Sequence, residues 1–392
     1  MAHYLVTIKP IEHFFFGVEK VGNLGNRKPY YLETTEFPQQ TSILGLLRYV
    51  LLLKEGKLGE NISTDPDVVG LIGEQSFTAF PPEPKELKYG KIKTLSPVFI
   101  YNKSNETAYF TRPLDWQYRF VKKDIGCKVS YGTQTSTLGF MPSLEDYKSK
   151  ERTEPCLISS NSESIPLWYN KKTGKGVLRR QAKAGNQKKP ERFLNEEEKN
   201  DDKKMAKAKN EAYYKQEFLY MERPYAYACV ADIEMAGMEE FKTVLPFGGE
   251  RSSFAISFEL LKDAVSVDQY YFSLQPQNDY LKIELLSDAY VEQRILEFTC
   301  FAVCDTIGFR NLKTKTTTGN YSRISDKEKH NCADLSDQLQ LLKRGSVLFF
   351  DSVDQMHEAE SLLTKGKEHF TKIGYNKYRK FELKTINNHG TI

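Results

Sequence analysis

Apolar and polar positions keep a regular beat near both ends of the chain and lose it in the middle. HYLVTIKPI (3–11) sets Val6 and Ile8 against polar neighbours, the period of a half-buried strand. After a Gly-rich loop, FPQQTSILGLLRYVLLLKEGKLG places Ile43, Leu44, Leu47, Val50 and Leu51 three and four residues apart. That spacing predicts a helix with Thr41 or Ser42 as its cap. Residues 60–90 are broken by Pro and Gly, and KIKTLSPVFIY (91–101) reads as a strand. From 102 to 165 Pro, Gly, Ser and Thr recur, the mark of short hairpins or an irregular insertion.

Regularity returns with two strands, QEFLYMER (216–223) and AYACVADIEM (226–235), a short helix around Met238 to Val244, and the strand SFAISFELL. The order β, α, long insertion, β–β, α, β is the split βαββαβ, or ferredoxin-like, arrangement. A second unit begins near residue 263. DYLKIELLSDAYV (279–291), LEFTCFAVC (296–304), GSVLFF (345–350) and NKYRKFELKTI (376–386) are strand-like, and VDQMHEAESLLTKG has helical spacing. The fold class is therefore α+β with antiparallel sheets.

Composition narrows the class. A chain of 392 residues has room for two cores. A 40% hydrophobic and 12% aromatic content excludes a mainly disordered protein. The longest apolar run, Ile43 to Leu53, is interrupted by Arg48 and too short to span a bilayer, so no membrane association is expected. The start, MAHYLVTIKP, lacks the basic-then-apolar layout of a secretory signal. Six scattered cysteines form no disulfide framework, and a cytoplasmic, reduced protein is the economical reading.

Charge changes the picture more. The formal net charge is only +4, but eight of the 56 basic residues fall in NKKTGKGVLRRQAKAGNQKK (170–189), which holds no acid. The other 48 face 52 acidic residues, a net of −4. Positive charge so concentrated suits an anionic polymer, because each neutralised phosphate releases counterions; the bland reading is a solvated, self-repelling loop. The stretch is expected to lie outside both domains, with Trp168 and Tyr169 anchoring its base and Arg179, Arg180, Lys183, Lys188 and Lys189 on phosphate. It runs into PERFLNEEEKNDDKKMAKAKNEAYYKQ, a solvated helix or excursion with little apolar periodicity.

VLPFGGERSSFAISFELL (244–261) carries the other polar signal. Gly248 and Gly249 admit positive φ and close backbone approach, and Arg251 with its neighbouring serines places donors beside them. Such a turn holds a phosphate, or is simply a tight turn with solvated side chains.

Catalytic patterns are missing. Gly17 to Gly22 has P-loop spacing, but Asn23 stands where the lysine belongs. Gly174 and Gly176 lack the third glycine of a dinucleotide fingerprint. Cys300 and Cys304 have no ligand partners at zinc spacing, and the histidines at 3, 13, 330, 357, 369 and 389 are scattered. No nucleophile, base and orienter assemble, which favours a binding protein with no cofactor and no metal.

IKPIEHFFFG, FPQQTSILGLLRYVLL and FGGERSSFAISF together resemble the repeat-associated mysterious protein (RAMP) superfamily of CRISPR systems. More narrowly, they are similar to the third subunit of the type III-B Cmr effector complex. The family's Pro-x-x-Ser/Thr helix falls on Pro38, Thr41 or Ser42, Gly45 and Arg48. Its Gly-Gly-Glu turn falls on Gly248, Gly249, Glu250 and Arg251, and its late strand on Gly345, Ser346 and Val347. His13 stands where the family commonly has Asp. The resemblance implies two ferredoxin-like (RRM-like) domains, 1–262 and 263–392, with a long basic insertion. It implies a non-catalytic subunit gripping the 5′ handle of the CRISPR guide RNA beside the large polymerase-like Cmr subunit and the backbone RAMP subunits. The implied RNA-binding set is Gln39, Gln40, Ser42, Arg48, Gly248, Gly249, Glu250, Arg251 and Ser252, joined by the basic residues above. Two other readings stay open: a RAMP endoribonuclease cutting repeat RNA by metal-independent acid–base chemistry, with His13 as the histidine nearest a matched motif, and a protein-binding scaffold.

Overall fold

The computed structural model describes residues 2–17, 31–58, 65–73, 77–80, 88–116, 120–131, 134–142, 155–159, 163–186, 213–261, 281–310, 312–314, 333–335 and 338–381. The chain begins with strands β1 (Ala2–Pro10) and β2 (Tyr31–Leu32) and helices α1 (Gln40–Lys54) and α2 (Pro66–Ile72). Next come β3 (Ile92–Leu95), β4 (Phe99–Asn102), β5 (Thr107–Thr111), β6 (Phe120–Tyr131) and β7 (Gln134–Pro142). They are followed by β8 (Cys156–Ser159), β9 (Ser164–Pro166), β10 (Leu178–Asn186) and β11 (Tyr213–Met221). Strands β12 (Tyr225–Ile233), β13 (Lys242–Pro246) and β14 (Ser253–Leu260) close the first half.

The second half opens with β15 (Leu281–Leu285), a short 3-10 helix (Gln293–Phe298), β16 (Phe301–Val303) and β17 (Thr306–Phe309). Strands β18 (Leu312–Thr314), β19 (Ala333–Leu335), β20 (Leu339–Leu342) and β21 (Val347–Phe350) follow. Helices α3 (Val353–Thr364) and α4 (Glu368–Lys372) and strand β22 (Tyr378–Phe381) complete the described chain.

Strand β1 lies inside a nine-stranded sheet ordered β13-β14-β1-β12-β4-β5-β8-β9, with β3 also on β12. It pairs antiparallel with both neighbours, so that Val6 faces Phe258 on one side and Cys229 on the other. The alternation read at 3–11 then divides the sheet into two faces. Val6 and Ile8 share a core with Tyr227, Phe254 and Ile256 and with Ile43, Leu44, Leu47, Val50 and Leu51 of α1. Each fully buried aliphatic side chain there contributes about 1.5–3 kcal/mol of transfer free energy. On the other face Leu5, Phe99, Tyr101, Phe110 and Val230 form a separate cluster.

In the second half an antiparallel sheet ordered β16-β21-β15-β22 carries α3 on one face, where Met356, Ala359 and Leu363 meet Ile283, Leu285 and Leu348. The halves are joined through buried groups. Phe370, Ile373 and Tyr375 enter the α1 core. Arg344 donates from Nη1 to the Val98 carbonyl at 2.9 Å, sits 4.3 Å over the Phe37 ring and pairs with Asp288. The architecture is mixed α+β with mostly antiparallel sheets, as the periodicities predict.

Several elements differ from expectation. No helix forms over Met238 to Val244; 242–246 is β13, whose residues alternate between exposed and partly or fully buried. Its β-branched Thr243 and Val244 suit a strand paired on β14 better than a helix turn. The strand read over 91–101 breaks at Pro97, which has no amide to donate. The Ser96 hydroxyl bridges the gap by accepting from the Val230 amide at 2.8 Å. The 102–165 region supplies β5, β8 and β9 to the main sheet and a β6–β7 hairpin. Residues 296–304 begin in the 3-10 helix and only then enter β16. Helix α2 carries its own start signal: the Asp65 carboxylate accepts from the Asp67 amide at 2.9 Å, and Pro66 occupies the first turn.

Candidate nucleic-acid interface

Segments 13–16, 168–183 and 248–252, far apart in sequence, meet at one side of the first half. Phe14 and Leu219 exchange backbone hydrogen bonds at 2.8 Å in each direction, and the Gly249 amide donates to the Phe15 carbonyl at 2.8 Å. The Phe14–Phe15 backbone is thus stitched to β11 on one side and to the glycine turn on the other. Alternation explains the placement: Phe14 and Phe16 are buried against Tyr227 and Phe254. Phe15 points the opposite way, towards Phe218, with ring centroids 6.1 Å apart.

The turn joins β13 to β14, and its glycines answer to Phe15 and Phe16. Gly248 has φ +78°, and a Cβ there would lie 2.7 Å from the Phe15 carbonyl oxygen. A Cβ on Gly249 would lie 2.6 Å from Phe15 Cδ1. The Gly249 amide is already used, and Ser252 is buried with its carbonyl accepting from Phe247 N at 2.9 Å. Gly249 therefore serves packing rather than an open amide, a correction to the phosphate-cradle reading there, and Gly248 supplies the positive φ of the turn. Glu250 and Arg251 also take positive φ (57° and 53°) and stay exposed. Glu250 Oε1 accepts from Gln216 Nε2 at 3.5 Å.

The basic stretch is not a solvated loop. Val177 and Leu178 are fully buried, and β10 pairs with β11 so that Arg179 faces Tyr220, Arg180 faces Leu219 and Lys183 faces Gln216. Strand β2 joins this ribbon in parallel. The Arg179 guanidinium lies 3.9 Å over the Tyr169 ring, and Arg180 lies 3.7 Å over Trp168. Arg179 pairs with Glu222, whose hydrogen bond raises the guanidinium pKa. Arg180 has Glu217 at 3.4 Å and Glu36 at 3.8 Å. Lys183 Nζ lies 2.6 Å from His13 Nε2 and 4.9 Å over Phe218. Acids absent from the stretch itself reach it from elsewhere in the fold. Lys188 and Lys189 lie outside the described residues.

Trp168, Tyr169, Lys171, Leu178, Arg179 and Arg180 line a shallow groove. Flat aromatic faces capped by guanidinium planes can stack on bases, while the outer N–H groups are placed for phosphate.

Around the start of α1 the expected residues divide. Gln39 is the N-cap, and its Oε1 accepts from Thr41 Oγ1 at 3.4 Å, so the helix begins before the Thr41 or Ser42 cap read from sequence. Ser42 is exposed. Gln40 is fully buried: its Nε2 donates at 2.8 Å to the carbonyls of Ser96 and Ile373, and its Oε1 accepts from Val98 N at 3.1 Å. Arg48 donates from Nε to the Ile72 carbonyl at 2.7 Å and from Nη2 to Gly73 at 3.5 Å, and burial lowers its pKa. Gln40 and Arg48 are internal struts rather than surface donors.

Sequence reasoning missed Glu36, Glu217 and Glu222 as partners of the arginines, and no local signal in the stretch points to them. Among the described residues no group of three or more His, Cys, Asp or Glu could hold a metal ion. No helix among them is long and apolar enough to cross a membrane.

The family model for CRISPR-associated protein (Cas_Cmr3) matches residues 6–379. The chain is similar to a chain of a cryo-EM structure of the type III-B Cmr-beta complex bound to cognate target RNA, at 14% identity and a TM-score of 0.44. That match covers 97% of this chain and 96% of the other. A chain of the same complex with cognate target RNA and AMPPnP, state 1, also gives 14% identity and a TM-score of 0.44, covering 95% of each chain. No curated protein matches. With the family match running from β1 into β22, the chain belongs to the CRISPR-associated Cas_Cmr3 family.

Proposed function

We propose that this subunit is a non-catalytic RNA-binding component of its Cmr complex, gripping the 5′ handle of the guide RNA. The carrying observation is the ladder of Arg179 on Tyr169 and Arg180 on Trp168, with Lys183 beside it. Single-stranded RNA is read through stacking and backbone charge, and this groove offers both. Arg251 and Ser42 remain exposed and belong to the same RNA-facing set, together with Gln39 and Glu250. The subunit bridges the large polymerase-like subunit and the backbone RAMP subunits in the cytoplasm.

Two ferredoxin-like units carry this role, split at 262/263. The orders β14-β1-β12-β4 and β22-β15-β21-β16 support that reading, each with its first and third strands adjacent at the centre. In the first unit β13 stands where the second helix of the motif belongs. In the second unit the 3-10 helix stands in place of the first.

The test is affinity of the full chain for repeat-derived single-stranded RNA. Replacing Arg179, Arg180 and Lys183 by Gln should lower the slope of log affinity against log salt by about two, at about 0.7 per phosphate contact. An unchanged slope and affinity would remove the groove from the RNA site.

One observation favours a second reading. His13 Nε2 and Lys183 Nζ lie 2.6 Å apart, as acid–base cleavage of a ribose 2′-hydroxyl would use them. A discrete product from repeat RNA, lost in His13→Ala with binding retained, would make the chain an endoribonuclease.

A further inference from the structure

Several lysines elsewhere in the described fold are matched to acids: Lys57 to Asp67, Lys93 to Glu234, Lys282 to Asp115 and Glu284, and Lys343 to Glu36. Lys9, Lys103 and Lys242 break this pattern. They converge on one groove of the nine-stranded sheet with no ion pair among the described residues, and Val244, Ala255 and Ser257 form its floor.

Register explains the convergence. Val244, Ala255 and Lys9 lie in one cross-strand row, and Lys242, Ser257 and Thr7 in the next. On these strands Ile8, Leu245, Phe254, Ile256 and Phe258 point into the α1 core, so the rows with Lys9 and Lys242 occupy the opposite face. Lys103 follows β4, and its amide is held by the Pro224 carbonyl at 3.3 Å. Thr7 and Ser257 hydroxyls hydrogen-bond each other at 2.6 Å across the floor.

Charge marks the groove as unfinished. Burial lowers the Lys103 ammonium pKa, and Lys9 lowers it further; Glu259 pulls the other way, and Lys242 again lowers it. Three like charges facing one another against a single nearby acid raise the free energy of the empty groove, and an anion relieves it. Lysines are compact donors fitted to phosphate oxygens, and no aromatic ring lines the groove for stacking. The edge position of β13 leaves the groove open along the hairpin that ends in the Gly248–Gly249 turn.

We propose that Lys9, Lys103 and Lys242 form a second, sequence-independent site for the phosphate backbone of single-stranded RNA, on the outer face of the β13–β14 hairpin. The site rests on the RNA-binding reading and extends it: the Trp168–Arg180 groove stacks bases, and the lysine groove holds a neighbouring stretch of backbone by charge.

The experiment compares the full wild-type chain, a Lys9→Gln/Lys103→Gln/Lys242→Gln variant, a Lys242→Gln single variant and the Arg179→Gln/Arg180→Gln/Lys183→Gln variant. Each is titrated with oligouridylate over a range of salt, after its melting transition is shown to match the wild type. The lysine triple variant should lose about two from the salt slope, and Lys242→Gln about 0.7. A wild-type slope in both lysine variants overturns the proposal, and does so without touching the RNA reading if the arginine variant still weakens binding. If the wild type itself shows no salt-dependent binding, the RNA reading falls and this site with it. If the lysine variants keep the RNA slope but fail to co-assemble with the other Cmr subunits, the groove receives an acidic protein surface and the proposal is overturned.

Discussion

Phe15 and Gly249 meet backbone to backbone, with the Gly249 amide on the Phe15 carbonyl at 2.8 Å and the Phe15 ring edge where a side chain at 249 would begin. This contact couples the EHFFFG segment to the hairpin turn, and it accounts for a glycine pair that the local sequence leaves unexplained.

A side chain at either glycine should therefore act on stability first. Gly248→Ala meets the Phe15 carbonyl and a left-handed backbone, at about 1–2 kcal/mol. Gly249→Ala overpacks Phe15, at about 1–3 kcal/mol. Adding Phe15→Ala to Gly249→Ala should recover part of that loss, read by urea denaturation of both singles and the double. Strictly additive losses would mean that the two residues do not press on each other.

Gln40 ties α1 to the loop before β4 and to the end of α4 through three hydrogen bonds. Gln40→Leu leaves two carbonyls and an amide buried without partners, a loss of about 3 kcal/mol or more. RNA affinity per folded molecule should not change. A variant as stable as wild type, or one folded but deficient in RNA binding, would contradict the strut role.

If the arginine ladder holds RNA as proposed, Glu36 and Glu222 compete with it for the guanidinium groups. Glu36→Gln relieves Arg180 and Lys343, and Glu222→Gln relieves Arg179. Exposed ion pairs of this kind are weak, so each change should tighten single-stranded RNA binding by a few-fold at most at low salt. Weaker binding in either variant would mean that the acids position the arginines rather than mask them.

His369 packs between Phe77 and Phe370, with its Nε2 at 2.9 Å from the Ala79 carbonyl. Burial lowers its pKa from the ordinary 6.5; the Ala79 hydrogen bond and Glu368 oppose this, and Lys367 adds to it. A folded value below the unfolded one means the unfolded chain binds the proton first. The stability that His369 contributes is present above its unfolded pKa and declines as pH falls through the folded value. The urea midpoint should drop between pH about 7.5 and about 5.5, and drop less in His369→Gln. Equal drops in the two proteins would assign the acid sensitivity to other groups.

Lys282 sits buried between Asp115 at 2.7 Å and Glu284 at 2.8 Å, with Arg379 completing the cluster on Glu284. Lys282→Met strands Asp115 and leaves Glu284 with Arg379 alone, and should cost about 3–5 kcal/mol. Asp115→Asn added to it should return part of the loss. No recovery in the double variant would show that Glu284 alone carries the penalty.

The sequence by itself determined the elements whose periodicity is local. The alternation at 3–11, the spacing from Ile43 to Leu51 and the Gly-bounded GSVLFF run each state which side chains seek a core, because burial acts residue by residue along one face. The glycine turn was legible as a turn, and the basic stretch as a concentration of charge. Only the tertiary structure decided what those features face. Residues 242–244 become an edge strand because β14 offers their β-branched Thr243 and Val244 a pairing partner, which the local sequence cannot show. Gln40 and Arg48 turn inward because carbonyls of Ile373 and Ile72 arrive from other elements. The basic stretch becomes strand β10 because β11 pairs with it, while Glu36, Glu217 and Glu222 reach its arginines across the fold. Charge in a sequence is summed along the chain, whereas electrostatic energy falls with distance in space, and β10 lies close to acids that the chain keeps far away.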